Sequence, residues 1–134
     1  MAVIQSEFEK DFIKENLRNG KVTPLAPAQP IEEKDVDEAV HIVAQMGEEP
    51  YIKALEEGAD VIIAGRSYDP SVFAALPIKE GFPKGLAIHL GKILECAAIC
   101  ALPGSGSDCM FGYLRHDNFV LEPLSSARKC TTLS

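Results

Sequence analysis

Two short stretches carry the residue types best suited to holding an anion: Met46-Gly47-Glu48-Glu49 and Gly65-Arg66-Ser67-Tyr68-Asp69. A guanidinium grips two oxygens of a carboxylate or phosphate in a fork that an ammonium does not reproduce. Each stretch runs into a proline (Pro50, Pro70) of the kind found in a first helical turn. A helix start offers free amides and a partial positive charge. Arg66 therefore reads as an anion anchor with Gly47 and Asp69 beside it, and Glu48 as an acid–base group at the same edge. A plainer reading has Arg66 pairing with Glu48 or Asp69 and only tying two loops together.

A second group is His89, Lys92 and Cys96, spaced i, i+3 and i+7, with Glu95 beside them. On one helix face these supply a general base, a cation, a carboxylate and a nucleophile. The competing reading makes His89 and Cys96 core-edge residues and Lys92–Glu95 an exposed pair. Cys96 and Cys100 lie one helical turn apart, but nothing supplies further metal ligands at telling spacing, so no metal is expected. Gly104, Ser105 and Gly106, within Pro103-Gly104-Ser105-Gly106-Ser107-Asp108, can cradle an anion with backbone amides. That loop leaves a helix and enters a strand, the reverse of nucleotide-binding loops, so a tight structural turn is the alternative.

These residues need a frame. Ser6-Glu7-Phe8-Glu9 fits a capping box, and Phe8, Phe12, Ile13 and Leu17 predict a helix from Glu7 to Arg18, stopped at Asn19-Gly20. Lys21 to Leu25 can form a short strand before the proline-rich connector Ala26–Pro30. A short helix ending near Ala39, a strand at Val40–Gln45, a helix from Pro50 to Gly58 and a strand within Asp60–Gly65 make a βαβ unit. Its strands are expected to be parallel neighbours, which puts both anion-binding stretches at the carboxyl edge where α/β proteins bind ligands. Asp69 reads as the cap of a helix that Pro77 kinks or ends, and a longer helix runs from Pro83 or Lys84 to Ala101. Met110–Arg115 and Asn118–Glu122 predict a hairpin. The fold class is α/β, a βαβ-containing, mostly parallel sheet flanked by helices with a short C-terminal hairpin. Residues 1–134 form one unit, expected to be part of a larger domain.

Composition excludes several classes of partner. The 134 residues are 46% hydrophobic and 25% charged, with a formal net charge of −7, and no basic stripe appears. Nucleic acid is not an expected partner, since phosphate neutralisation needs clustered Lys and Arg. The apolar stretch Leu86–Leu102 is interrupted by His89, Lys92 and Glu95 and does not read as a membrane span. The opening residues carry no secretory pattern, so a cytoplasmic setting with reduced cysteines is expected.

The segments Val43-Ala44-Gln45-Met46-Gly47-Glu48-Glu49-Pro50, Gly58-Ala59-Asp60-Val61-Ile62-Ile63-Ala64-Gly65-Arg66 with Asp69-Pro70, and Gly91-Lys92-Ile93-Leu94-Glu95-Cys96 resemble the acyclic terpene utilisation family over most of Gly20 to Ser134. The joined pattern is fairly specific, though each piece alone is not. The resemblance implies an α/β fold within a chain of several hundred residues and a role near acyl or carboxylic-acid breakdown. It places a histidine near His89. Ala97 stands where the family usually has glycine, and the family's glycine-rich N-terminal region has no counterpart, so the chain reads as an excised domain. Some relatives carry glutamate-mutase-like names, but no Asp-x-His-x-x-Gly corrinoid motif surrounds His41, His89 or His116.

The leading expectation is part of an enzyme of acyclic isoprenoid or branched carboxylic-acid catabolism that binds a small anionic acyl or carboxylate ligand. The alternatives are a noncatalytic assembly module of a catabolic complex, or a mutase-like segment without its corrinoid motif. The cofactor is unknown from sequence, and the expected partners are the ligand, the rest of a longer chain and a second copy as homo-oligomer. All four thiols are expected to titrate with a thiol reagent without prior reduction, and elemental analysis is expected to find no stoichiometric zinc; a disulfide under reducing preparation would contradict this.

Overall fold

The computed structural model describes residues 1–132. In chain order the elements are β1 (Ala2–Ile4), α1 (Lys10–Arg18), α2 (Glu33–Glu38), α3 (Glu49–Glu56), β2 (Ile62–Ala64), α4 (Asp69–Lys79), α5 (Lys84–Glu95), β3 (Met110–Leu114) and β4 (Phe119–Pro123). β1 and β2 form a parallel pair in which Ala2 faces Ile62 and Ile4 faces Ala64. β3 and β4 form the predicted antiparallel hairpin, with Met110 opposite Pro123 and Leu114 opposite Phe119. Helices and strands are mixed, but among the described residues each sheet has two strands and one pair is parallel. The expected mostly parallel sheet is not confirmed among the described residues.

The predicted strand at Val40–Gln45 is the main correction. β2 takes β1 as its neighbour, and Val40–Gln45 is an irregular segment with one isolated bridge, Val43 with Glu7, while Met46 just past it bridges Ser67. Its β-branched residues suit a strand, but the hydrogen bonds that would make it one go elsewhere. Ala44 donates to Ser6 O at 2.7 Å and Ile42 O accepts from Phe8 at 2.8 Å, so the segment is stitched to the chain just after β1. Lys21–Leu25 forms no strand either.

Helix ends also moved for identifiable reasons. Ser6 does not cap α1, which begins at Lys10 after Glu9, because the Ser6 hydroxyl is occupied by Arg66 N–H at 2.8 Å. Tyr68 is the N-cap of α4, with Asp69 and Pro70 as its first two residues, and Pro77 lies inside the helix rather than ending it. α5 stops at Glu95, six residues before Ala101, because Ala97 adopts φ 56° and leaves helical space.

α4 packs on α3 and on α5, and the hairpin packs on α5. The core is small-chained: Ala54, Ala74, Ala75 and Ala87 are buried with Val36, Tyr51 and Leu90. Small residues let helix backbones approach closely, and Gly91 shows the limit. A Cβ there would lie 2.7 Å from Pro70 O and 3.3 Å from Phe73 Cβ. By contrast, Val3, Val61 and Ile63 are exposed, so one face of the parallel pair is bare. Parallel sheets usually have both faces covered.

Two substitutions test this packing with opposite signs. Ala97→Gly relieves a left-handed alanine and is expected to raise stability by about 0.5–1 kcal/mol. Gly91→Ala overpacks the α4–α5 contact and is expected to cost about 1–3 kcal/mol. Denaturant unfolding of both variants checks the pair of signs.

Candidate functional site

The loop Gly65–Tyr68 is fixed from three directions. Ser6 Oγ accepts Arg66 N–H, Arg66 O accepts Met46 N–H at 3.3 Å, and Met46 O accepts Tyr68 N–H at 2.8 Å. Beneath it, Ser67 Oγ donates to Gly65 O at 3.1 Å and is hydrogen-bonded to Tyr51 Oη from α3. Backbone and buried hydroxyls thus hold the loop while its charged side chains stay outside.

Gly65, Arg66, Ser67 and Asp69 line an open depression of about 380 Å³ together with Tyr51, Ile62, Ala64 and Val72. The Arg66 side chain is 56% exposed, and its ion pair with Asp69 is long, at 3.9 Å. A pair that open and that loose is worth little and leaves the guanidinium free to take another anion. The depression therefore joins a cationic rim to an apolar wall of Ile62, Ala64 and Val72. Tyr51 and Ser67 were not among the sequence-predicted site residues. Ser67 lies inside the predicted loop, and Tyr51 lies in the helix predicted from Pro50 to Gly58.

Met46–Glu48 does lie alongside the Arg66 loop, as the bridge between Met46 and Ser67 requires, though through a different strand arrangement from the predicted one. Glu48 turns away from Arg66. Its side chain is only 8% exposed and pairs with Lys84 at the start of α5. That hydrogen bond from Lys84 holds the Glu48 carboxyl below its ordinary range, against the opposing effect of burial. Neither Gly47 nor Glu48 lines the depression.

The second predicted group is partly assembled. Lys92 pairs with Glu95, and the Cys96 thiol donates to Glu95 Oε1 at 3.0 Å, with Lys92 Nζ 3.8 Å from the sulfur. The hydrogen bond to Glu95, helped by burial, pushes the Cys96 thiol above its ordinary value, while Lys92 holds Glu95 down. That shift favours the protonated thiol, the poorer nucleophile of the two forms. His89 instead meets the Phe119 ring edge-on at 5.1 Å, joining α5 to the hairpin.

The Gly104–Gly106 loop turns back on its own chain. Ser105 N–H donates to Ala98 O at 3.1 Å, Ser105 and Ser107 share a hydroxyl contact at 3.1 Å, and Arg128 joins Asp108 at 2.6 Å while also donating to Pro103 O. Gly104, Ser105 and Gly106 do not line the Arg66 depression. All four cysteines are free thiols, and no metal-binding cluster occurs among the described residues. No helix among the described residues is long and apolar enough to cross a membrane.

The family model described as acyclic terpene utilisation family protein AtuA matches residues 1–104. The match reaches further toward the N-terminus than the resembling stretch from Gly20, and it ends before the hairpin. No curated protein and no solved structure matches the chain.

The Glu48–Lys84 pair has a definite pH signature. Because the folded state depresses the Glu48 pKa, its contribution is fully present above the unfolded carboxylate value of about 4.3 and is lost as pH falls through the folded value. Lys84→Met is expected to lower the melting temperature at neutral pH, since it strands a buried carboxylate. The gap from the unaltered protein is expected to close as acid protonates Glu48, which a melting series against pH reads directly.

Proposed function

The chain belongs to the acyclic terpene utilisation family, and from that premise we propose that it binds a small branched carboxylate or acyl compound at the Arg66 depression as part of acyclic isoprenoid or branched-acid catabolism. The carrying observation is an exposed, loosely paired guanidinium beside an apolar wall of Ile62, Ala64 and Val72. The guanidinium suits the carboxylate and the wall suits a hydrocarbon chain, so the two halves of such a ligand each find a matching surface. Asp69 lies beside the guanidinium at 3.9 Å, and the N-terminus of α4 adds a partial positive charge next to it.

The anchor carries this reading, and the Lys92–Glu95–Cys96 group, His89 and Glu48 stand outside it as candidates for chemistry in a longer chain. Gly47 and the Gly104–Gly106 loop are proposed as supports rather than contacts. The free thiols fit a cytoplasmic setting. A second reading, a noncatalytic assembly module, draws on the bare face formed by Val3, Val61 and Ile63, which the rest of a longer chain or a second copy would cover. The two readings separate on whether carboxylates bind at all.

Arg66→Ala is expected to weaken binding of a branched carboxylate about ten- to a hundredfold, the equivalent of about 1.5–3 kcal/mol for a charge-assisted hydrogen bond. Arg66→Lys is expected to recover only part of the loss, because an ammonium lacks the fork. Isothermal titration calorimetry measures both. Unchanged affinity with a lowered melting temperature would make Arg66 a loop tie.

A further inference from the structure

Tyr51 and Ser67 are two hydroxyl-bearing residues, only 6% and 8% exposed, that line the same depression as the exposed Arg66 side chain. Ser67 has one hydroxyl hydrogen, and it is directed at Gly65 O at 3.1 Å. With that hydrogen committed, Tyr51 is the donor in the Tyr51–Ser67 contact, and Ser67 Oγ keeps a lone pair to spare. The bond to Gly65 O is the looser of the two and turns back within the loop, two residues away. Rotation about the Ser67 Cβ–Oγ bond releases it without disturbing the bond from Tyr51.

Resting on the Arg66 reading, we propose that Ser67 supplies the second contact to the ligand's carboxylate, swinging its hydroxyl hydrogen from Gly65 O to a carboxylate oxygen, and that Tyr51 is the positioning residue that holds and polarises Ser67 Oγ. Arg66 grips both oxygens with its fork from the rim, and Ser67 donates a further bond to one of them from the floor. Both groups then act as donors, so the site selects a ligand head that only accepts. A carboxylate does so with both oxygens. A primary amide of the same shape presents an N–H₂ donor to a donor and loses one contact. The chain of bonds Tyr51 O–H to Ser67 Oγ and Ser67 O–H to the ligand is cooperative, since accepting one hydrogen bond strengthens the donation of the next.

The test uses the full chain with isocaproate and isocaproamide as probes, and reads the acid-over-amide preference by calorimetry. That ratio is the informative quantity, because a merely structural role for either residue lowers stability or weakens both probes together. Ser67→Ala is expected to reduce the preference about tenfold. Tyr51→Phe, which keeps the packed ring, is expected to reduce it severalfold, and Ser67→Thr, which keeps a hydroxyl, is expected to retain it. If isocaproate binds in an Arg66-dependent way but Ser67→Ala and Tyr51→Phe keep the full preference, the hydroxyl pair is structural and this inference fails while the anchor stands. If the unaltered chain does not bind isocaproate, the anchor itself fails, and the role of Ser67 and Tyr51 with it.

Discussion

The Ser6 hydroxyl accepts the backbone N–H of Arg66 at 2.8 Å, and this contact exists only because position 65 is glycine. A Cβ on Gly65 would overlap the Ser6 hydroxyl, lying 3.0 Å from Ser6 Cβ and 3.1 Å from its backbone nitrogen. The end of β1 and the end of β2 are thereby drawn together just past their paired residues, where Gly65 N–H also donates to Ile4 O at 2.9 Å. Everything placed at the carboxyl edge follows from that closure. The Val43–Met46 segment can reach both Ser6 and the Arg66–Tyr68 loop, and Arg66, its main chain held, projects its side chain from a fixed base.

Behind that edge, the helices are packed by subtraction of side chains rather than by bulk. Alanines and Gly91 set the α4–α5 distance, and the buried Glu48 carboxylate, paired with the exposed Lys84, joins the start of α3 to the start of α5. A small-chained core buries less apolar surface per residue than one built from leucine and phenylalanine, so close backbone contact and specific polar ties carry more of the fold. Ala97 is a local cost in this scheme. Its left-handed φ ends α5 and turns the chain toward the Gly104–Gly106 loop, a geometry that glycine meets without strain.

Local signals were legible where local physics decides. The hairpin, α3 and the start of α4 follow from turn residues, proline positions and apolar spacing, and they lie within a residue or two of where the sequence puts them. Strand pairing was not legible. Val40–Gln45 and Ala2–Ile4 are both short β-branched or apolar runs, and which of them pairs with Ile62–Ala64 depends on contacts across some sixty residues that no local propensity encodes. For the same reason, Ser6 reads as a helix cap in sequence but serves a distant backbone amide in the fold. The site divides likewise. Arg66 and Asp69 come from one loop and were visible together, whereas Tyr51 joins them only through α3, and Glu48, near in sequence logic, is claimed by Lys84.

The central claim is that the Gly65–Asp69 edge is a carboxylate-binding surface, and amide chemical shifts read it residue by residue. In a ¹⁵N-labelled sample titrated with isocaproate, saturable shifts are expected to concentrate at Gly65 to Asp69, with further shifts at Tyr51 and Val72 on the walls of the depression. Shifts absent throughout the titration, or clustered at Lys92–Cys96 or Gly104–Gly106 with the Arg66 loop unmoved, would contradict it.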